Sequence, residues 1–92
     1  MQKTLIEYIA NLLGLQILQL QPMAGGDISS VYRIETKNQQ FIVKSSVSQS
    51  ANEMFQAEKE GLEVIRSCNT IKVPEVFFLN QHANTSFLIM EF

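Results

Sequence analysis

Residues 41–58 read Phe41-Ile42-Val43-Lys44-Ser45-Ser46-Val47-Ser48-Gln49-Ser50-Ala51-Asn52-Glu53-Met54-Phe55-Gln56-Ala57-Glu58, and this stretch decides how the rest of the chain is read. Phe41 to Val43 is a strand-like run that Lys44 closes. Period-two alternation puts Ile42 and Lys44 on one face of that strand and Phe41 and Val43 on the other. Ser45 to Asn52, rich in Ser, Gln and Asn, reads as a loop, and Glu53 to Ser67 carries a helical pattern. At about 100° per residue, Ala51, Met54, Phe55, Leu62 and Ile65 share one arc of that helix. Glu58 falls near the centre of the arc, whereas Glu53, Glu60 and Glu63 point away beside Lys59 and Arg66. A carboxylate on an apolar stripe must be neutralised, reach the helix edge or find a cation. Lys44 is the nearest strand candidate by topology, so the two charges are expected to meet.

Working toward the N-terminus, Ser30 to Thr36 alternates Val31, Tyr32 and Ile34 with polar residues, and forms a β-hairpin with Phe41 to Lys44 across Lys37-Asn38-Gln39-Gln40. Ile17, Leu18, Leu20 and Met23, with Pro22, make an extended segment that feeds a Gly25-Gly26 turn. Leu5, Ile6, Ile9, Leu12 and Leu13 recur at helical spacing, Thr4 and Glu7 have capping-box spacing, and Gly14 can take the left-handed conformation that stops a helix. On the C-terminal side, Thr70 to Pro74 is a connector in which Pro74 forces Val73 to be extended. Val76 to Leu79 and Ser86 to Phe92 then read as a second hairpin joined by the turn residues Asn80 to Thr85.

Helix, two or three strands, helix, two strands give an α+β fold: an antiparallel sheet of about five strands with an N-terminal helix and one helix packed on it. The 92 residues suffice for one small domain, with a thin margin of stability. With 46% hydrophobic and 17% charged residues the composition is that of a folded globular chain. A net charge of -2, with 7 Lys and Arg scattered along the sequence, argues against nucleic acid or an anionic membrane as the partner. The single Cys68 rules out an internal disulfide and any multi-cysteine metal site, fits a reducing compartment and reads as a half-buried thiol near a helix end. No secretory signal and no membrane-spanning run is read, so a cytoplasmic location is expected.

The chemistry of the candidate residues follows from their types. A strand lysine held by a helix glutamate is the arrangement that contacts ATP phosphates in nucleotide phosphotransferases. Considered on its strand alone, Lys44 also reads as a side chain snorkelling out from the strand end. Ile42, on the same face, would pack on a flat adenine. Gly25-Gly26-Asp27-Ile28-Ser29 reads either as an ordinary hairpin turn or as a loop whose amides approach phosphate, with Asp27 adding a negative charge beside that place. The end of the last strand, Met90-Glu91-Phe92, could offer backbone groups to an adenine edge, or be simply the end of a buried strand. His82 reads as a surface histidine in a turn, and no Ser/His/Asp set, paired acids or metal-ligand cluster is found.

The order of elements, with the wording Gly25-Gly26-Asp27-Ile28, Val31-Tyr32-Arg33, Phe41-Ile42-Val43-Lys44, Phe55-Gln56-Ala57-Glu58, Ile71-Lys72-Val73-Pro74-Glu75-Val76 and Phe87-Leu88-Ile89-Met90-Glu91-Phe92, resembles the fructosamine kinase (ketosamine-3-kinase) family. The resemblance covers nearly the whole chain, with the IKVPEV connector its most specific part and the glycine turn its least. That family shares the fold of aminoglycoside phosphotransferases and choline kinases, and transfers the ATP γ-phosphate to the 3-hydroxyl of ketosamines, free or on glycated proteins.

By that resemblance residues 1–92 form a kinase-like N-terminal, nucleotide-binding lobe, and the C-terminal catalytic lobe is absent. Lys44 is implied as the phosphate-contacting lysine, Glu58 as its ion-pair partner, Gly25, Gly26, Asp27, Ile28 and Ser29 as the phosphate loop, and Met90, Glu91 and Phe92 as the hinge that meets adenine. Several family members carry a cysteine in the phosphate loop, whereas here Asp27 follows the two glycines, so a redox-controlled disulfide through that loop is not supported. The family's His-Gly-Asp loop and metal-binding acid belong to the other lobe. No catalytic residue is therefore assigned, Mg2+ is expected only with that lobe, and the fragment alone is expected to be inactive. The alternatives are a lobe of an aminoglycoside- or choline-type kinase, and a non-catalytic interaction remnant. An isolated lobe is also expected to self-associate through uncovered apolar surface.

Overall fold

The computed structural model describes residue 1 and residues 3–25, 29–68 and 72–92. The elements run α1 (Lys3–Leu13), β1 (Gln19–Gly25), β2 (Ser30–Glu35), β3 (Gln40–Ser46), α2 (Ala51–Ser67), β4 (Val76–His82) and β5 (Thr85–Glu91). The five strands form one sheet in the order β1-β2-β3-β5-β4, and every neighbouring pair is antiparallel. The crossover through α2 carries the chain to the sheet edge, and β5 returns to lie beside β3. This is the α+β arrangement expected from the pattern of hairpins.

The alternation in β3 separates two cores. Phe41 and Val43 join Ile34, Phe87 and Ile89 on one face, where Leu5 and Ile9 of α1 cover them. On the other face Leu88 and Met90, with Ile42, lie under Ala51 and Phe55 of α2. Because a helix covers each face, β5 is buried from Ser86 through Met90. That explains why Phe87-Leu88-Ile89-Met90 reads as a continuous apolar run rather than an alternating one.

Local chemistry sets the element ends. Gly14 adopts a φ of 69°. Its N–H donates to the Asn11 carbonyl at 3.2 Å and that of Leu15 to the Ala10 carbonyl at 3.1 Å, the paired bonds of a Schellman stop. The start of α1 differs from expectation. The helix begins at Lys3, so Thr4 already lies inside it and does not cap. The loop before α2 is shorter than expected, because pairing of Ser46 with Ser86 extends β3 and α2 starts at Ala51. The β4–β5 turn contracts likewise: His82 pairs with Thr85, leaving Ala83 and Asn84 as the turn, with Ala83 at a φ of 55°. In both places the turn-forming residues Asn80, Gln81 and Ser46 are held in strands by ladder hydrogen bonds that local propensity does not register.

Two further expectations are corrected. Cys68 is exposed rather than half-buried; it follows the last residue of α2, past the stretch that packs on the sheet. His82 is half-buried rather than a surface residue, because its ring stacks on Tyr8 of α1 with centroids 4.5 Å apart. Tyr8 also meets Phe87 edge-on at 6.0 Å and accepts a 3.4 Å hydrogen bond from Asn80 Nδ2. These contacts fasten α1 to the β4–β5 hairpin.

Candidate functional site

The antiparallel register places the site residues on a grid. One row across the sheet runs Gln21, Arg33, Ile42, Met90 and Val76. The next runs Ala24, Val31, Lys44, Leu88 and Leu79. Lys44 therefore lies on the same face as Ile42 and Met90, which is the face that α2 covers in part. Phe41 and Val43 belong to the opposite core.

From α2, Glu58 Oε1 accepts a hydrogen bond from Lys44 Nζ, so the two charges anticipated from the sequence do meet. The surroundings of the pair differ from the expected fully buried stripe. Glu58 and Lys44 side chains are 32% and 30% exposed, and Met54 and Ile65 on the same arc are 38% and 40% exposed. Only Ala51 and Phe55 of this helix are buried. The arc splits because α2 rests on β4 and β5 along one edge, and Met54, Glu58, Gly61 and Ile65 follow its rim at i, i+4, i+7 and i+11 spacing. Glu58 thus lies where a carboxylate can reach Lys44 while both remain accessible to a ligand.

The remaining candidates fall at the two ends of this face. β1 and β2 close at the pairing of Gly25 with Ser30, one step beyond the Val31–Lys44 pair, and Ser29 is half-buried just before β2. Gly26, Asp27 and Ile28 lie outside the described residues. At the other end Met90 is buried, while Glu91 turns from the Lys44 face: its N–H donates to the Glu75 carbonyl at 2.8 Å, and its Oε1 accepts from the Glu75 N–H at 3.2 Å. Arg66 of α2 lies 3.7 Å from the Glu75 carboxylate, which links the helix end to the same strap. Phe92 is 58% exposed just past β5.

Residues missed in the sequence reading complete the face. Arg33 lies directly across from Ile42; Gln21 Oε1 accepts its Nη2–H at 2.8 Å, and its Cζ stands 5.5 Å from the Phe92 ring centroid. The alternation of Val31 and Arg33 with Tyr32 and Ile34 carried the signal that Arg33 shares a face with Lys44. A cavity of about 680 Å³ opens elsewhere, between the β3–α2 loop and the β4–β5 turn, lined by Ser48, Asn52, Gln81 and Thr85 among others. It contains no charged side chain and none of the candidate residues. No cluster of three or more His, Cys, Asp or Glu suited to a metal occurs among the described residues.

The fructosamine kinase family model matches residues 1–92. The chain belongs to the fructosamine kinase family. A probable ketoamine kinase of Vibrio parahaemolyticus is 34% identical to it over 77 residues, covering 84% of this chain and 26% of that protein. A second, from Klebsiella aerogenes, is 30% identical over 79 residues, covering 86% of this chain and 27% of that protein. Among solved structures, a presumptive fructosamine-3-kinase of Haemophilus somnus superimposes with a TM-score of 0.77 at 26% identity, covering 95% of this chain and 30% of the other. The aminoglycoside phosphotransferase APH(4)-Ia, in a complex with AMP-PNP and hygromycin B, gives a TM-score of 0.68 at 9% identity over 98% of this chain and 29% of that one. That second likeness shows the fold alone. The chain spans about a quarter of the length of the curated relatives it matches.

Proposed function

We propose that residues 1–92 are the ATP-binding lobe of a ketosamine kinase, the enzyme class that moves the ATP γ-phosphate to the 3-hydroxyl of a ketosamine. The observation that carries this reading is the Lys44–Glu58 pair on the face lined by Ile42 and Met90. ATP fits the residues present: the apolar side chains Ile42 and Met90 for a flat base, and in the next row a cation that is oriented yet not buried. Ile42 supports the base, Lys44 donates to phosphate oxygens, and Glu58 holds the ammonium in place through a charge-assisted bond. Residues 25 and 30 frame the loop that we assign to the phosphates, including Gly26, Asp27 and Ile28, and residues 90–92 supply the adenine edge.

Phosphoryl transfer needs positioning and charge neutralisation around the whole triphosphate. Mg2+ would supply charge neutralisation on the phosphates, and no residue of this chain is assigned as its ligand. We infer that these 92 residues bind ATP weakly and do not turn over. Titration of ATP against the wild-type chain and Lys44→Ala tests the reading: weaker binding by the variant supports a nucleotide site, and equal affinities overturn it. Phosphorylation of a fructosamine by the wild-type chain above a Lys44→Ala control would overturn the inference of inactivity.

A second reading, an interaction module, draws on the exposed apolar side chains Met54, Val64 and Ile65 of α2 and Phe92. It predicts self-association without nucleotide dependence. No helix is long and apolar enough to cross a membrane among the described residues, and we propose a cytoplasmic site of action.

A further inference from the structure

We propose that Arg33 is a positioning residue for the purine base, setting the edge of the nucleotide site through Phe92 while Lys44 serves the phosphates. The inference rests on the nucleotide-lobe reading and deepens it.

Its starting point is a half-buried cation without an acidic partner; Lys3, Lys37 and Lys72 also lack an ion pair among the described residues, but they are exposed. Lys44 is matched by Glu58, Lys59 by Glu63 at 3.9 Å and Arg66 by Glu75. Arg33 is half-buried on the same face as Lys44, yet among the described residues its polar partner is the neutral Gln21 amide, and no carboxylate lies within ion-pair reach. A guanidinium carries five N–H donors and no acceptor, so one bond to Gln21 leaves it under-used. Gln21 fixes the guanidinium from β1, and the cation stands over the Phe92 ring within cation–π range.

The grid gives the function. Arg33, Ile42 and Met90 share one row, and Lys44 lies in the next, roughly 7 Å further along the strands for two residues of rise. A nucleotide has the same order, base, then a sugar spacer, then phosphates. A base lying on Ile42 meets the Arg33 side of the site, where Arg33 holds the Phe92 ring. Phe92 follows directly on Met90 and Glu91, and Glu91 is itself bound to Glu75. The end of β5 is thereby held from two sides, by the Glu75 strap and by the Arg33 stack. Removing the stack frees the wall on which the base rests and leaves the lysine untouched.

The test compares three probes against the 92-residue chain, by competition with a fluorescent ATP analogue: ATP, inorganic triphosphate and adenosine. Arg33→Gln is expected to weaken ATP and adenosine by about threefold to tenfold and to leave inorganic triphosphate unchanged. Phe92→Leu reproduces that pattern, and Arg33→Lys, which keeps the charge but loses the plane, recovers only part of the affinity. Unchanged circular dichroism and melting temperature of Arg33→Gln show that the fold is intact. Equal loss for ATP and inorganic triphosphate would make Arg33 a phosphate ligand and overturn the proposal. No loss for any probe with Arg33→Gln, while Lys44→Ala weakens ATP and triphosphate, would overturn it and leave the nucleotide reading standing. Failure of the wild-type chain to bind ATP would overturn both.

Discussion

Glu58, in the middle of α2, holds the ammonium of Lys44 on β3 with roughly two-thirds of each side chain out of solvent. A pair of this exposure is worth little to the fold, about 0–1 kcal/mol. On the proposed reading its value lies in aim. Glu58→Gln and Lys44→Ala are expected to change the unfolding free energy by no more than that amount. Lys44→Ala should weaken ATP roughly tenfold or more, the scale of a lost charge-assisted bond, and Glu58→Gln by less, because the cation remains. Chemical denaturation beside nucleotide titration separates the two roles; a stability loss well above 1 kcal/mol for Glu58→Gln would make the pair structural.

Two glycines should respond to alanine with opposite sign. Gly14 holds a φ of 69° with open space at a built Cβ, so Gly14→Ala meets backbone strain alone and should cost about 1–2 kcal/mol. Gly61 is inside α2, also with nothing within 4 Å of a Cβ. Gly61→Ala should stabilise by up to about 1 kcal/mol through helix propensity. Thermal melts of both variants check this, and the same direction of change in the two would refute it.

Ile89 tests the two-sided sheet. It is fully buried beside Val43 and Phe87 in the core under α1. Ile89→Ala should cost about 2–5 kcal/mol, a large share of the stability of a domain this small. Loss of the cooperative melting transition, or a midpoint lowered by well over ten degrees, is the expected outcome.

The rim of α2 is where self-association is expected. Met54 and Ile65 flank Glu58 with 38% and 40% exposure. Sedimentation velocity should show concentration-dependent self-association of the wild-type chain and its reduction in a Met54→Ser/Ile65→Ser double variant. A wild-type monomer at high concentration would remove the case for this rim as a sticky surface.

Much of this was legible in the residues. The order of helices and strands, the stop at Gly14, the alternation of Ile42 and Lys44 against Phe41 and Val43, and the Lys44–Glu58 meeting all follow from periodicity and charge placement. Such signals are local, or concern a charge that is costly to leave alone. Less legible were the lengths of β3 and β4, since Ser46, Asn80 and Gln81 look like loop residues until a neighbouring strand takes their backbone groups. The partial burial of His82 and the exposure of Cys68 depend on where Tyr8 lies and where α2 leaves the sheet. Neither has a sequence period.

Alternation along the chain was enough to say which residues share a face and that the one misplaced acid of α2 needs a cation, because both follow from backbone geometry and the cost of burying charge. Only the assembled sheet decided which rows lie side by side, that α2 covers half of its expected stripe, and that Arg33 comes to rest over Phe92. Those facts depend on register between strands distant in sequence, and register is settled by the packing of two cores at once rather than by any single segment.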